Sequence, residues 1–176
     1  MTHAALKIVW CLVAAAGLAS GQLSPTAQTT ATIGGKTLTI RYSAPSVRGR
    51  RIFGPGGVVS RDATYPVWRA GANAATSFTT EADLEIGGLK VPKGSYTLYV
   101  QVENPDAWQL VINRQTGQWG LSYDRSLDLG RVRMNMNRPP APVEVFKITL
   151  SNEGANTARL TMEWENHIAW LPIKVH

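Results

Sequence analysis

Apolar and polar side chains alternate with a period of two along most of this chain. In Lys36–Ser43, Leu38, Ile40 and Tyr42 fall on one face and Thr37, Thr39 and Arg41 on the other. Tyr96, Leu98, Val100 and Val102 repeat the pattern, and Trp108, Leu110 and Ile112 alternate with Gln109, Val111 and Asn113. Phe146, Ile148 and Leu150 follow, then Ala158, Leu160, Met162 and Trp164, and finally Leu171, Ile173 and Val175. Successive side chains of an extended strand point to opposite faces. Each segment therefore reads as a strand with one buried and one wetter face.

Turn chemistry separates these segments. Gly34 and Gly35 join residues 31–33 to Lys36, and Gly87 and Gly88 join residues 83–86 to Leu89. Glycine pairs supply the positive φ angles of tight hairpins. The shared Ile-Gly-Gly does not extend along the flanks, so these are two independent hairpins rather than a repeat. Arg138-Pro-Pro-Ala-Pro142 is stiff, and proline cannot donate to a ladder, so this stretch belongs at a sheet edge or between sheets. No later stretch sustains a helical period. Short helical turns are expected only near residues 69–75 and 121–127. About ten short strands without repeated helices predict an all-β fold, an antiparallel β-sandwich, with a β-barrel as the alternative. The proline-rich connection and uneven strand spacing favour the sandwich.

The alternation stops across residues 44–75. Long irregular loops are uncommon in compact domains and are often functional. This one holds Arg48, Arg50, Arg51, Arg61 and Arg69, together with Trp68 and Asn73. Arginine presents a planar fork of donors that matches carboxylate or phosphate oxygens in pairs. Tryptophan offers a flat apolar face suited to a sugar, and asparagine both donates and accepts. Arginines in such a loop also hold it down by bonding carbonyls, and Trp68 can equally plug the core. The structural reading is the commoner outcome for such residues.

The chain opens differently. Lys7 precedes the apolar or small run Ile8-Val-Trp-Cys-Leu-Val-Ala-Ala-Ala-Gly-Leu-Ala19, and Ser20 and Gly21 follow. That order predicts a signal peptide over residues 1–21, cleaved between Gly21 and Gln22. The run is shorter than the ~20 residues that span a bilayer. Residues 22–176 are then expected as a single exported β-sandwich domain, periplasmic or secreted, with no membrane span of its own. A domain of that size can bury a core without staples. Cys11 is the only cysteine and leaves with the signal, which removes disulfides, cysteine metal sites and thiol nucleophiles.

The formal charge of +6 comes mostly from arginine. The basic residues are scattered rather than clustered, which argues against nucleic acid as a partner. After the signal only His167 and His176 remain, too few for a histidine metal site, and no cofactor is expected. His167 reads as a solvated turn residue between the last strands. Gly54-Pro-Gly-Gly57 lacks the lysine and helix of a phosphate-cradling loop. Asp124 and Asp128 read as turn caps. Trp68, Trp119 and Trp170 lie off the predicted core faces.

Several segments resemble, in order, the bacterial domain of unknown function 2911 family. They are Pro45-Ser-Val-Arg-Gly-Arg50, Ile52-Phe-Gly54 and Val67-Trp-Arg-Ala-Gly-Ala-Asn73 with Ala75-Thr76. Val91-Pro-Lys-Gly-Ser-Tyr-Thr-Leu98, Val111-Ile-Asn113, Gln118-Trp-Gly120, Tyr123-Asp124 and Arg131-Val132 continue it. Leu160-Thr-Met-Glu-Trp-Glu165 and Leu171-Pro-Ile173 end it. The resemblance implies an exported β-sandwich and carries no established activity. The position after Asn73, often acidic in similar sequences, is Ala74 here, and residues 55–66 make a longer insertion than usual.

Three functions fit these readings. The first is a binding or accessory module for a small anionic or polyol/saccharide ligand, with Arg48, Arg50, Trp68, Arg69, Asn73 and Trp119 lining its site. The second is a hydrolase using Glu163 and Glu165, which lie two apart on a strand and so share a face. A solvated strand face opposite Trp164 is the plainer account of that pair. The third is a structural envelope protein that pairs its edge strands with a partner.

Overall fold

The computed structural model describes residues 24–176. The expected signal peptide, its cleavage point at Gly21 and Gln22, and Cys11 lie outside the described residues. The alternating segments form thirteen strands, rather than about ten, in two antiparallel sheets that do not close into a barrel. No helix among the described residues is long and apolar enough to cross a membrane.

The first sheet contains β1 (Thr26–Ile33), β2 (Lys36–Ser43), β3 (Val67–Trp68), β4 (Thr76–Thr80), β7 (Gly94–Gln101), β8 (Gln109–Asn113) and β9 (Asp128–Arg133). Its order is β1-β2-β4-β7-β8-β9, and β3 pairs with β7 beyond the end of β4. The second sheet contains β5 (Leu84–Ile86), β6 (Leu89–Val91), β10 (Asn135–Asn137), β11 (Val143–Gly154), β12 (Thr157–Glu165) and β13 (His167–Val175). Its order is β11-β12-β13-β5-β6, with β10 also on β13.

Both glycine-pair hairpins form with two-residue turns, Ile33 facing Lys36 and Ile86 facing Leu89. All four glycines have positive φ. Gly87 is needed for a second reason, because a Cβ there would meet Val132 Cγ1 at 2.3 Å. The 310 turn Arg125–Leu127 falls inside the expected 121–127 turn and is capped by Asp124, whose Oδ1 accepts from Ser126 N at 2.9 Å. No helical turn forms at 69–75, where positive φ at Ala70 and Asn73 breaks any helical run. The chain changes sheets at Met134, between β9 and β10. The proline-rich stretch stays within the second sheet and leads into its edge strand β11.

The inner faces are the ones the alternation marks. Leu38, Ile40, Leu98, Val100, Leu110 and Ile112 meet Ile148, Leu160, Met162, Leu171 and Ile173 in one buried cluster. β11 is the edge of its sheet, yet its outward amides are not free. Phe146 N donates to Pro45 O, Ile148 N to Tyr42 Oη and Leu150 N to Thr29 Oγ1, at 2.8, 3.0 and 3.1 Å. Two side chains of the first sheet and the carbonyl of Pro45 thus occupy an edge that would otherwise be open to pairing.

Segment 44–75 is less of a loop than its sequence suggests. It carries a 310 turn, Val59–Arg61, and the short strand β3. It also sends Ile52, Phe53, Val59, Trp68 and Ala70 into the core. Trp68 is 1% exposed. It stacks on Trp164 with centroids 5.5 Å apart and planes at 19°, and meets Phe53 and Phe146 edge-on at 5.4 and 4.9 Å. Its Nε1 donates to Gly71 O at 3.1 Å. The side chain therefore joins the irregular segment to both sheets. Trp68→Ala is expected to cost about 3–5 kcal/mol, as for other buried large-to-small changes. Urea unfolding of the variant against the parent measures it, and a loss below about 1 kcal/mol would contradict this packing role.

Candidate functional site

The sequence Trp68-Arg-Ala-Gly-Ala-Asn73 turns sharply because Ala70, Gly71 and Asn73 all take positive φ. Thr76 Oγ1 donates to Ala70 O at 2.7 Å and fixes the turn from inside. A side chain at Gly71 would sit 2.8 Å from Ser43 O. Arg69 runs beneath this turn, with its Nη2 3.5 Å from Asp62 Oδ1. Burial raises the Asp62 pKa, and the neighbouring Arg69 charge opposes that shift. Gly120 lies flat on the arginine stem: a Cβ there would fall 2.3 Å from Arg69 Cδ and 2.7 Å from Asn73 O.

This contact brings a second segment to the turn. Ala74 bridges Trp119, Ala75 N donates to Gln118 O at 3.2 Å, and Gly120 N donates to Asn73 O at 3.1 Å. Trp119 is thereby held on firm backbone with 55% of its surface exposed. It lines an open cleft of about 530 Å³ with Ser24, Thr26, Ser43 and Asn73.

The remaining arginines gather elsewhere. Arg50, Arg51 and Arg61 surround a cleft of about 570 Å³, together with Gly56 and Val58. Each guanidinium is steadied by its own loop. Arg50 donates from Nε to Val47 O and from Nη2 to Ser46 O, at 3.0 and 2.6 Å. Arg51 donates to Pro55 O and Arg61 to Gly56 O, at 3.3 and 2.9 Å. None of the three forms an ion pair among the described residues. The acids beside the segment are occupied: Glu144 accepts from Arg48 N at 2.8 Å, Glu165 from Ile52 N at 3.1 Å, and Asp62 faces Arg69. Arg48 is exposed, at a φ of +49°.

The six residues read as one binding set therefore do not converge. Trp68 is in the core and Arg69 lies under Gly120. Arg50 belongs to the arginine cleft, while Asn73 and Trp119 belong to another with no shared lining residue. Glu163 and Glu165 also part company. Glu163 faces Lys147 at 3.7 Å on the outer face of its sheet. Glu165, the last residue of β12 and at a φ of +52°, points to Ile52. Among the described residues no group of three histidine, aspartate or glutamate side chains is placed to hold a metal ion.

Two arrangements escape a simple alternation. The outer face of β7 and β8 is not wet: Tyr99, Val111, Thr97 and Asn113 are buried there. They lie under a polar lattice in which Asp128 accepts from Tyr123 Oη at 2.8 Å and from Asn113 at 2.9 Å. Arg131 donates to Asp128, Tyr123 and Gln101, and Gln118 donates to Tyr99 Oη and Thr97 Oγ1. Burial, reinforced by Asp128, pushes the Tyr123 pKa up to about 12, so its hydroxyl stays a donor. The signal for this layer lies in the sequence, as apolar Tyr99 and Val111 on the nominally wet face.

The second is His167, which is a core-edge residue rather than a solvated turn residue. Its ring stacks on Trp108 at 4.9 Å and meets Phe53 edge-on at 5.0 Å. Its Nδ1 is 3.7 Å from Glu165 Oε2. It borders a cleft of about 270 Å³ with Asp106, Asn137 and Arg138.

A family model described as Protein of unknown function (DUF2911) matches residues 24–173, and the chain belongs to that family. No curated protein and no solved structure matches the chain.

Burial lowers the His167 pKa from 6.5, Glu165 and Asp106 oppose this, and Arg138 adds to it. The unfolded chain therefore binds the proton more tightly than the folded one. Stability from this group is complete above the unfolded value and is lost as pH falls from there through the lower folded value. The melting temperature is expected to fall between about pH 7.5 and about pH 5.5, and the fall should flatten in His167→Phe. An equal fall in that variant would assign the effect to other groups.

Proposed function

We propose that this protein is an exported binding module whose arginine cleft takes a small oxyanion, one that presents carboxylate or phosphate oxygens. The observation that carries this reading is the convergence of Arg50, Arg51 and Arg61 on one open cleft without a carboxylate partner. Arginine forks match paired oxygens, and such bonds are about twice as strong as neutral ones. Each side chain already spends part of its donor set on a loop carbonyl, so it loses less freedom when a ligand arrives. A volume of about 570 Å³ lies within the usual range of small-ligand sites.

Export is supported by the apolar run and small residues at positions 8–21. Protein recovered from a secreting host should begin at Gln22. An intact Met1 terminus on cytosolic protein would contradict export.

The oxyanion reading is tested by thermal-shift titration with citrate and with inorganic phosphate. The parent should gain stability with at least one of them, about 2.7 kcal/mol at a hundredfold excess over Kd. The Arg51→Ala/Arg61→Ala pair should abolish the gain while melting within about 1 kcal/mol of the parent, since both side chains are exposed. Absence of any shift in the parent, or an undiminished shift in the double variant, would refute the site.

A further inference from the structure

We infer that the groove beside Trp119 is a second and chemically different site, which binds neutral oligosaccharide. It does not rest on the arginine cleft, with which it shares no lining residue.

The tryptophan is the first observation. Trp68, Trp108 and Trp164 are 1–3% exposed and commit their rings to one another, to Phe53 or to neighbouring core groups. Trp170 lies under Arg159, 4.3 Å from its centroid, and donates to Asn137 at 2.8 Å. Trp119 alone among the described tryptophans presents more than half of its surface to solvent. It nevertheless stands on fixed backbone, through the Ala74 bridge and the contact of Gly120 with Arg69. An exposed indole on a rigid support contributes no packing to the core and keeps its face oriented for a partner.

The second observation is the chemistry around it. Ser24, Thr26 and Ser43 bring hydroxyls to the cleft, and Asn73 brings an amide. The cleft shares Thr26, Ser43 and Ala74 with a smaller one of about 180 Å³, which adds Ser77 and Arg41. No carboxylate lines either part. A pyranose ring has an apolar face of C–H groups and a rim of hydroxyls that donate and accept. A flat aromatic face bordered by neutral groups with both capacities matches that pattern. Two connected clefts suit a chain of sugars better than one ring.

An apolar protein partner fits less well. Among the described residues the other exposed large hydrophobic ones are Tyr65, Leu127 and Val145, and none of them lines this groove. A lone aromatic residue among hydroxyls does not make the contiguous apolar patch of a protein interface.

The test is a fluorescence and calorimetric titration of the purified protein with cellohexaose, maltohexaose, xylohexaose and chitohexaose at millimolar concentration. At least one should bind saturably and shift the tryptophan emission. Trp119→Ala should weaken that binding by about tenfold or more with an unchanged melting temperature, and Trp119→Phe should retain part of it. The Arg51→Ala/Arg61→Ala pair should bind the sugar as the parent does, which separates this site from the arginine cleft. Failure of all four sugars to bind the parent would overturn the inference. So would binding that survives Trp119→Ala unchanged.

Discussion

The stacking of Trp68 on Trp164 is the contact on which the rest of the structure depends. It places a residue of an otherwise irregular segment between two sheets, where Phe53 from the same segment packs against Trp68, Trp108 and Trp164 at centroid distances of 5.4, 4.7 and 5.7 Å. Once these rings are buried, the backbone that carries them must follow them inward and find partners for its polar groups. Glu144 and Glu165 accept from Arg48 N and Ile52 N, Trp164 Nε1 donates to Glu144 O, and arginine side chains take up loop carbonyls. The arginines therefore serve two ends. Their inner N–H groups close the loop, and their remaining donors are turned outward around one cleft. Residues 24–176 contain no cysteine, so this packing works without any disulfide.

A related constraint shapes the other face of the first sheet. Tyr99 and Val111 are buried on the side that an alternating strand would leave wet, and the segment after β8 folds back to cover them. That cover cannot be apolar throughout, because it includes Asp128, Arg131 and Gln118. Its charges are instead paired internally, Asp128 and Arg131 bonding to each other and to Tyr123, while Gln118 Oε1 is buried without a partner among the described residues. The same excursion delivers Trp119 to the edge of the Asn73 turn. The exposed indole is thus a by-product of covering the sheet, positioned by the Ala74 bridge and the bond from Gly120 N to Asn73 O.

Much of this was legible in the chain. The inner faces of β2, β7, β8, β11, β12 and β13 follow directly from alternation, and both glycine-pair hairpins close where the glycines stand. β4, β9 and β10 were not legible. Thr76–Thr80 has one large apolar residue, Asp128–Arg133 is mostly polar or small, and Asn135–Asn137 is stabilised by its place on β13 rather than by its own sequence. Propensity is overridden there by tertiary pairing. The special role of segment 44–75 could be read from its lost periodicity and its arginines. The separation of Arg50 from Asn73 and Trp119 into different clefts could not, because it depends on the turn at Ala70, Gly71 and Asn73 and on the distant Gly120. Glu163 and Glu165 part for a similar reason: strand spacing gives a shared face only while the backbone stays extended, and Glu165, the last residue of β12, takes a φ of +52°.

The central claim is that the irregular segment is part of the core and not a loop laid over it. Native-state amide hydrogen exchange tests this most directly. The amides of Val47, Ile52, Val58 and Val59 are bonded within or beneath the segment. They should exchange only through the global unfolding that releases Ile148 and Leu150 in β11, with the same free energy and the same response to denaturant. Exchange of the segment amides through low-energy local openings, while Ile148 and Leu150 remain protected, would contradict the account.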